Sequence, residues 1–305
     1  MVSDVTRTSA PADEQRVGLL AGWGRFPLLV AEALRRDGYQ VYCLGVAGHA
    51  DPALIDTCDE FRWIGIAKLG AAVRYFQRHG IRRATMAGKL HKVVLYQPWV
   101  WWKHLPDWRA IRAFYPHFLL TREDRKDDTL LTVIVDEFGK DGIRFEPATD
   151  MVPHLLVRSG TLTHGRPNRA QRADIAFGWQ VAKEMGRLDV GQSVVVKDRA
   201  TIAVEAIEGT DECIRRGGQL CQVGGFTVVK VAKPQQDMRF DVPTIGVGTL
   251  RTIAAAGGKV LAIEAGRTII LDEPEVIRFA DAHQLVIVSL DAAEAQAGGS
   301  HTAAA

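Results

Sequence analysis

The feature that most constrains this chain is an alternation. Short apolar runs that end in glycine are followed by stretches whose apolar residues recur at helical spacing, and the order repeats. "RVGLLAG" (Arg16 to Gly22) reads as a buried strand entering a turn. In "GRFPLLVAEALRRDG", Pro27 suits a first helical turn, Leu28, Leu29, Ala31 and Leu34 form one apolar face, and Gly38 is a stop. "YQVYCLGV" is the next strand, and "EFRWIGI", "KLGAAVRYFQRHG" and "IRRATMAG" repeat strand, helix, strand. Such an alternation predicts an α/β fold: a Rossmann-like parallel sheet flanked by helices.

After Gly88 the pattern breaks. "YQPWVWWKHLPDWRAIRAFYPHF" is rich in tryptophan and proline, "DDTLLTVIVDEFGKDG" reads as a helix, and "FEPATDMVP" reads as a linker. The alternation then restarts. "ADIAFGWQVAKEMGRL" is helical, and "GQSVVVKDRATIAVEAIEGTD" gives two strands around a turn at Asp198–Arg199. "DECIRRGG" is a short helix capped by Thr210 and Asp211, "FTVVKVAKP" a strand and "TLRTIAAAGG" a helix. The stretch from Lys259 to Leu290 gives strand, strand, helix, strand. The expected organisation is a disordered N-terminus over 1–15, an N-terminal α/β nucleotide-sugar-binding domain over 16–145, a second, catalytic α/β domain over 146–290, and a disordered tail over 291–305. A hydrophobic fraction of 47% in 305 residues is enough to give each domain a core. The four cysteines form no C-x-x-C pair, so they read as buried thiols of a reducing compartment. The polar N-terminus lacks a signal core, and no run is long enough to span a membrane, which points to a cytoplasmic protein.

Five segments carry chemistry. "AGWGRFP" (Ala21 to Pro27) puts Gly22 and Gly24 between a strand and a helix N-terminus, a place suited to phosphate. Pro27 replaces the third glycine of a dinucleotide fingerprint, which argues against a nicotinamide-dependent oxidoreductase. Residues 62–126 hold fourteen Lys and Arg against three Asp and Glu, with Trp63, Trp99, Trp101, Trp102 and Trp108 among them. That mixture suits a membrane surface or a lipid-like ligand, single-stranded nucleic acid, or a protein interface. Lys89 and His91 follow a strand end, where ligands of open α/β sheets bind. Asp127 and Asp128 precede a helix and read as caps. "VEAIEGTDE" brings Glu205, Glu208, Thr210 and Asp211 into one turn, and Glu205 in an apolar strand needs a cation, a metal or hydrogen bonds. Finally, "KPQQDMRFDVPTIG" (Lys233 to Gly246) mixes Lys233 and Arg239 with Asp237 and Asp241. Asp237, Asp241, Glu205 and Glu208 are the hard oxygen donors that Mg²⁺ takes, and the two cations would offset phosphate charge.

"IAVEAIEGTD" (Ile202 to Asp211), "KPQQDMRFDVPTIG", "AGWGRFP" and "EAGRTIILD" (Glu264 to Asp272) together resemble the LpxI-type UDP-2,3-diacylglucosamine pyrophosphatases of lipid A synthesis, in the same order and over roughly residues 16 to 290. The resemblance implies Mg²⁺-dependent hydrolysis of UDP-2,3-diacylglucosamine to 2,3-diacylglucosamine 1-phosphate and UMP, with water attacking the phosphorus next to the sugar. It implies two domains with the active site between them, a homodimer, and an essential aspartate matching Asp241. The expected site is Asp241, Lys233 and Arg239 for catalysis, Gly22, Gly24, Lys89, Thr210 and Asp211 for substrate, and Asp241, Asp237, Glu205 and Glu208 for the metal. A diacylated substrate implies transient, peripheral contact with the inner membrane surface, and no nucleic-acid partner is expected. The alternative reading is a non-catalytic regulator that binds a nucleotide sugar or lipid.

Overall fold

A computed structural model describes residues 15–89, 105–119 and 127–300. Contacts divide the chain into two compact units, one running to Pro153 and taking in Met238–Phe240, the other formed by His154–Asp237 and the chain from Asp241 onward.

The first unit runs β1 (Arg16–Ala21), α1 (Phe26–Arg36), β2 (Gln40–Val46), α2 (Leu54–Thr57), β3 (Glu60–Ile64), α3 (Leu69–Arg78), β4 (Arg83–Ala87), α4 (Trp108–Leu119), α5 (Asp127–Gly139), β5 (Arg144–Phe145) and α6 (Ala148–Met151). Its five strands lie in the order β3-β2-β1-β4-β5, all parallel. The order turns back at β1, so the connection from β3 returns past β1 and leaves a switch point between β1 and β4. Pro27 sits in the first turn of α1, and Leu28, Val30, Ala31 and Leu34 face inward as the periodicity requires. The core gathers Leu44, Leu69, Val73, Phe76, Phe138 and Phe145.

Two segments depart from the sequence reading. The stretch read as a linker, 145–153, begins on the last residue of β5, which extends the sheet beside β4, and holds the helical turn α6. In the tryptophan-rich stretch, Trp108–Leu119 is a helix. Asp107 explains its start: one carboxylate oxygen accepts from the Ala110 amide at 3.0 Å, and the other accepts from the Ala71 amide of α3 at the same distance. One aspartate therefore caps two helices. Trp63 and Trp108 are exposed, whereas His91, Trp99, Trp101 and Trp102 lie outside the described residues. Asp127 and Asp128 open α5.

The second unit runs β6 (Gly160–Thr161), α7 (Arg169–Arg187), β7 (Ser193–Lys197), β8 (Ala200–Val204), α8 (Thr210–Leu220), β9 (Thr227–Lys230), β10 (Thr244–Ile245), α9 (Val247–Ala255), β11 (Val260–Glu264), β12 (Ile269–Ile270), α10 (Glu273–Ala282), β13 (Val286–Leu290) and α11 (Ala292–Ser300). Six strands form a mixed sheet in the order β6-β13-β11-β9-β7-β8, and β10 pairs with β12 apart from it. Strands β9, β11 and β13 are parallel, while β6, β7 and β8 join antiparallel. Residue parity sorts the side chains. Val195, Val228, Leu261, Ile263 and Ile287 pack with Ile214, Leu250, Ile253 and Val276. Val194, Val196, Val229, Val260, Ala262 and Val288 pack with Ile175, Trp179, Ala182 and Ala295. Both sheet faces are thus covered by helices.

The hairpin turn between β7 and β8 falls at Asp198–Arg199 as read, with φ of 50° and 61° at those residues. Asp174 of α7 accepts from the Arg199 amide at 2.7 Å, and burial raises its carboxyl above the usual range. The tail corrects an expectation. Residues 292–300 form α11, and Ala295 is buried against α7. Asp291 and Glu294 make a reciprocal box: the Glu294 amide donates to Asp291 Oδ1 at 2.8 Å and the Asp291 amide to Glu294 Oε2 at 2.9 Å.

Candidate functional site

In the first unit the candidate surface lies at the carboxyl ends of β1 and β4, the switch point where ligands of open α/β sheets bind. Two loops are stitched together there. The Gly22 amide donates to the Ala87 carbonyl at 2.8 Å, and Trp23 and Lys89 exchange backbone hydrogen bonds at 2.8 and 3.0 Å. A Cβ on Gly22 would meet the Lys89 carbonyl oxygen at 2.7 Å, so this glycine serves loop-on-loop packing. Gly24 is different. Its φ is 105° and a Cβ there would meet nothing within 4 Å, so the backbone is bare on an open side. Trp23 and Lys89 are exposed beside it.

In the second unit the expected residues fall into two groups, one around Glu205 and Thr210 past the end of β8 and one around Lys233 and Asp241 on the segment that leaves β9. Ser193 is the register partner of Lys230, and Glu205 follows β8 on the same edge. Thr210 opens α8 and joins them. Its hydroxyl donates to Glu205 Oε1 at 2.9 Å, accepts from Lys230 Nζ at 3.0 Å, and lies 3.4 Å from Ser193 Oγ. Glu205 and Lys230 are only 7% and 6% exposed, so the cluster is a polar island inside the sheet edge. Glu205 Oε2 is buried without a hydrogen-bond partner. Glu208 is exposed and tied to Arg216, and hydrogen bonds to its own backbone amide and to Arg216 hold its carboxyl below the usual range. Asp211 is half-buried in the first turn of α8.

The segment leaving β9 is anchored at its root. Lys183 of α7 donates to both oxygens of Glu264 at 2.7 and 2.8 Å and to the Ala232 carbonyl at 2.9 Å. The Ala232 amide donates back to Glu264 Oε2 at 2.8 Å. Lys233 then reaches Asp189 at 2.6 Å. Gln236 bridges the next turn: its side-chain oxygen accepts from the Lys233 amide at 3.1 Å, and its nitrogen donates to the Asp241 carbonyl at 2.9 Å and to Asp241 Oδ2 at 2.6 Å. Asp241 is exposed and Asp237 half-buried, and the Asp241 amide donates to the Asp237 carbonyl at 3.2 Å. The guanidinium of Arg239 lies 4.9 Å from the Phe240 ring centre.

Among the described residues no three His, Cys, Asp or Glu side chains come together to hold a metal, so Asp237, Asp241, Glu205 and Glu208 form no four-carboxylate cage. Glu205 is sunk among hydroxyl and ammonium groups, and Glu208 is committed to Arg216. Sequence reasoning also missed Lys183, Asp189, Lys230 as a partner of Thr210, and Gln236. Glu264 and Gln236 stood within quoted motifs, but nothing in the sequence says which distant group each one holds.

Residues 16–155 match the LpxI N-terminal domain, and residues 158–288 match the LpxI C-terminal domain. The chain is 31% identical over 289 residues to a protein of Caulobacter vibrioides (strain ATCC 19089 / CIP 103742 / CB 15) named UDP-2,3-diacylglucosamine pyrophosphatase LpxI, covering 92% of this chain and 99% of that protein. The chain belongs to the LpxI family. Membership gives the quoted motifs a common frame: "AGWGRFP" falls in the N-terminal family domain, while "IAVEAIEGTD", "KPQQDMRFDVPTIG" and "EAGRTIILD" fall in the C-terminal one. No helix among the described residues is long and apolar enough to cross a membrane.

Proposed function

We propose that this chain hydrolyses the pyrophosphate linkage of UDP-2,3-diacylglucosamine to 2,3-diacylglucosamine 1-phosphate and UMP, a step of lipid A biosynthesis. The observation that carries the reading is its likeness, over 92% of the chain, to a relative bearing that name. Splitting a phosphoanhydride with water requires charge on the phosphoryl oxygens to be offset and a water to be aimed. The Lys233–Gly246 segment has groups for both tasks. Lys233 meets a phosphoryl oxygen by exchanging one anion, Asp189, for another. Arg239 supplies a planar fork of donors. Asp241 is an exposed carboxylate held at one oxygen, and it is the residue assigned to the reaction.

Mg²⁺ keeps several waters and takes one or two carboxylates plus substrate phosphates, so a large protein cage is not required. Asp241 and Asp237 are the residues that would hold it. When bound it would neutralise the diphosphate and polarise the phosphorus under attack. Thr210 and Asp211, in the first turn of α8, are proposed to meet part of the nucleotide sugar. The reading extends to a homodimer, a cytoplasmic location and transient contact with the membrane surface that carries the diacyl substrate.

The test is incubation with UDP-2,3-diacylglucosamine and Mg²⁺, with and without chelator. UMP is expected in the first case and not in the second. Asp241→Ala is expected to lower turnover by at least about 10³-fold while the protein stays folded, since the side chain is exposed and its Gln236 contact is a single hydrogen bond. Wild-type rates in that variant, or no UMP from the wild type, would reject the assignment.

A further inference from the structure

Gln236 uses both ends of its side-chain amide. The oxygen accepts from the Lys233 amide at 3.1 Å, while the nitrogen donates to the carbonyl of Asp241 at 2.9 Å and to its carboxylate at 2.6 Å. The Gln236 amide also donates to the Lys233 carbonyl at 3.0 Å, closing a turn at the root of the segment. One planar group therefore fixes where the segment begins and where the Asp241 carboxylate ends up. An exposed aspartate is otherwise free to turn about two side-chain bonds, and rotational freedom at a reacting group costs rate without changing the group. Glutamine suits the task because it is a donor and an acceptor at once; glutamate and lysine of similar length are each only one of these.

We infer that Gln236 is a positioning residue: it holds Oδ2 of Asp241 and so fixes the orientation in which the carboxylate meets the substrate. The inference rests on the reading of Asp241 given above. It assigns to Gln236 no contact with the reacting atoms. Its charge is neutral, so it orients the carboxylate without cancelling the negative charge that the diphosphate-bound cation would need.

Two variants separate positioning from scaffolding. Gln236→Glu keeps the acceptor for the Lys233 amide and replaces the donor facing Asp241 with a second anionic oxygen. Gln236→Ala loses both interactions. If Gln236 only scaffolds the loop, alanine is the worse change in every measurement. If it positions Asp241, glutamate lowers kcat further than alanine, because its anionic oxygen pushes the Asp241 carboxylate out of place. Expected losses in kcat are about 100-fold for Gln236→Glu and about 10-fold for Gln236→Ala, with KM changed less than threefold in both. Amide hydrogen exchange on the substrate-free protein supplies a second readout. The Lys233 amide should stay protected in Gln236→Glu and lose protection in Gln236→Ala. Wild-type protein that releases no UMP overturns the underlying reading. Active wild type with kcat unchanged in Gln236→Glu, or with alanine the slower variant, overturns the Gln236 assignment alone.

Discussion

At the residue scale, the charged groups at the sheet end divide into those that face outward and those that hold others. Glu264 belongs to the second kind. It ends β11, accepts from the Ala232 amide, and takes both of its ion-pair contacts from Lys183. Lys183 in turn reaches the Ala232 carbonyl, so one lysine–glutamate pair clamps both backbone groups of the residue before Lys233. The side chains are 26% and 11% exposed, which places the pair between a surface bridge of little worth and a buried one whose breakage costs 3–5 kcal/mol. Lys183→Met should therefore destabilise by about 2 kcal/mol, measured by urea unfolding, because it leaves the Glu264 carboxylate half-compensated. Lys183→Met with Glu264→Gln should recover part of that loss, since the amide oxygen still accepts from Ala232 and no charge remains unpaired. Losses that simply add would show that the two side chains do not act as a pair.

At the scale of elements, the strand and helix alternation was legible wherever apolar spacing carried it, as in β1, α1 and α7. What escaped were elements held by capping or by pairing. Helix α4 starts on Asp107, α11 starts on the Asp291–Glu294 box, and β5 is two residues long. "DAAE" was a readable capping signal before an alanine-rich run, but low complexity concealed it. β5 owes its place to charge as well as to the ladder. Glu146, just past β5, accepts from Arg83 of β4 at 2.8 Å and 3.1 Å, and from Arg144 at 2.7 Å. Burial works against its ionised form, yet the hydrogen bonds and charges of the two arginines outweigh this and hold its carboxyl below the ordinary glutamate range. A carboxyl depressed by folding contributes stability above its unfolded value, roughly pH 4, and loses it as pH falls through the lower, folded value. The melting temperature of the first unit should accordingly drop with acidification below roughly pH 4. Glu146→Gln should melt lower at neutral pH and show a shallower acid limb. An acid limb as steep in the variant as in the wild type would remove Glu146 from the account.

At the scale of the molecule, the two-part α/β organisation could be read because each half repeats its own alternation and closes its own core. The candidate site was legible by residue type and not by partnership. Asp241, Lys233, Thr210 and Glu205 stood out as polar residues in dense motifs, but their partners Gln236, Asp189 and Lys230 are fixed by strand order and turn geometry, which motif spacing does not encode. The same organisation makes a prediction about folding. The second unit draws its six-stranded sheet and both hydrophobic clusters from residues after Val157 or at it, and its helices cover both sheet faces. A unit with a complete core is able to fold alone. Residues 154–305 expressed without the first unit should therefore unfold in one cooperative urea transition. The three residues Met238–Phe240, which belong to the other unit, would lose their packing there. Phe240 joins the cluster around Phe138, and exposing it forgoes about 1.5–3 kcal/mol that this fragment never counted on. Phe240→Ser should thus leave the fragment's transition midpoint unchanged and lower that of the full chain. A fragment that binds hydrophobic dyes and melts without a transition would show that the second core is completed only by the rest of the chain.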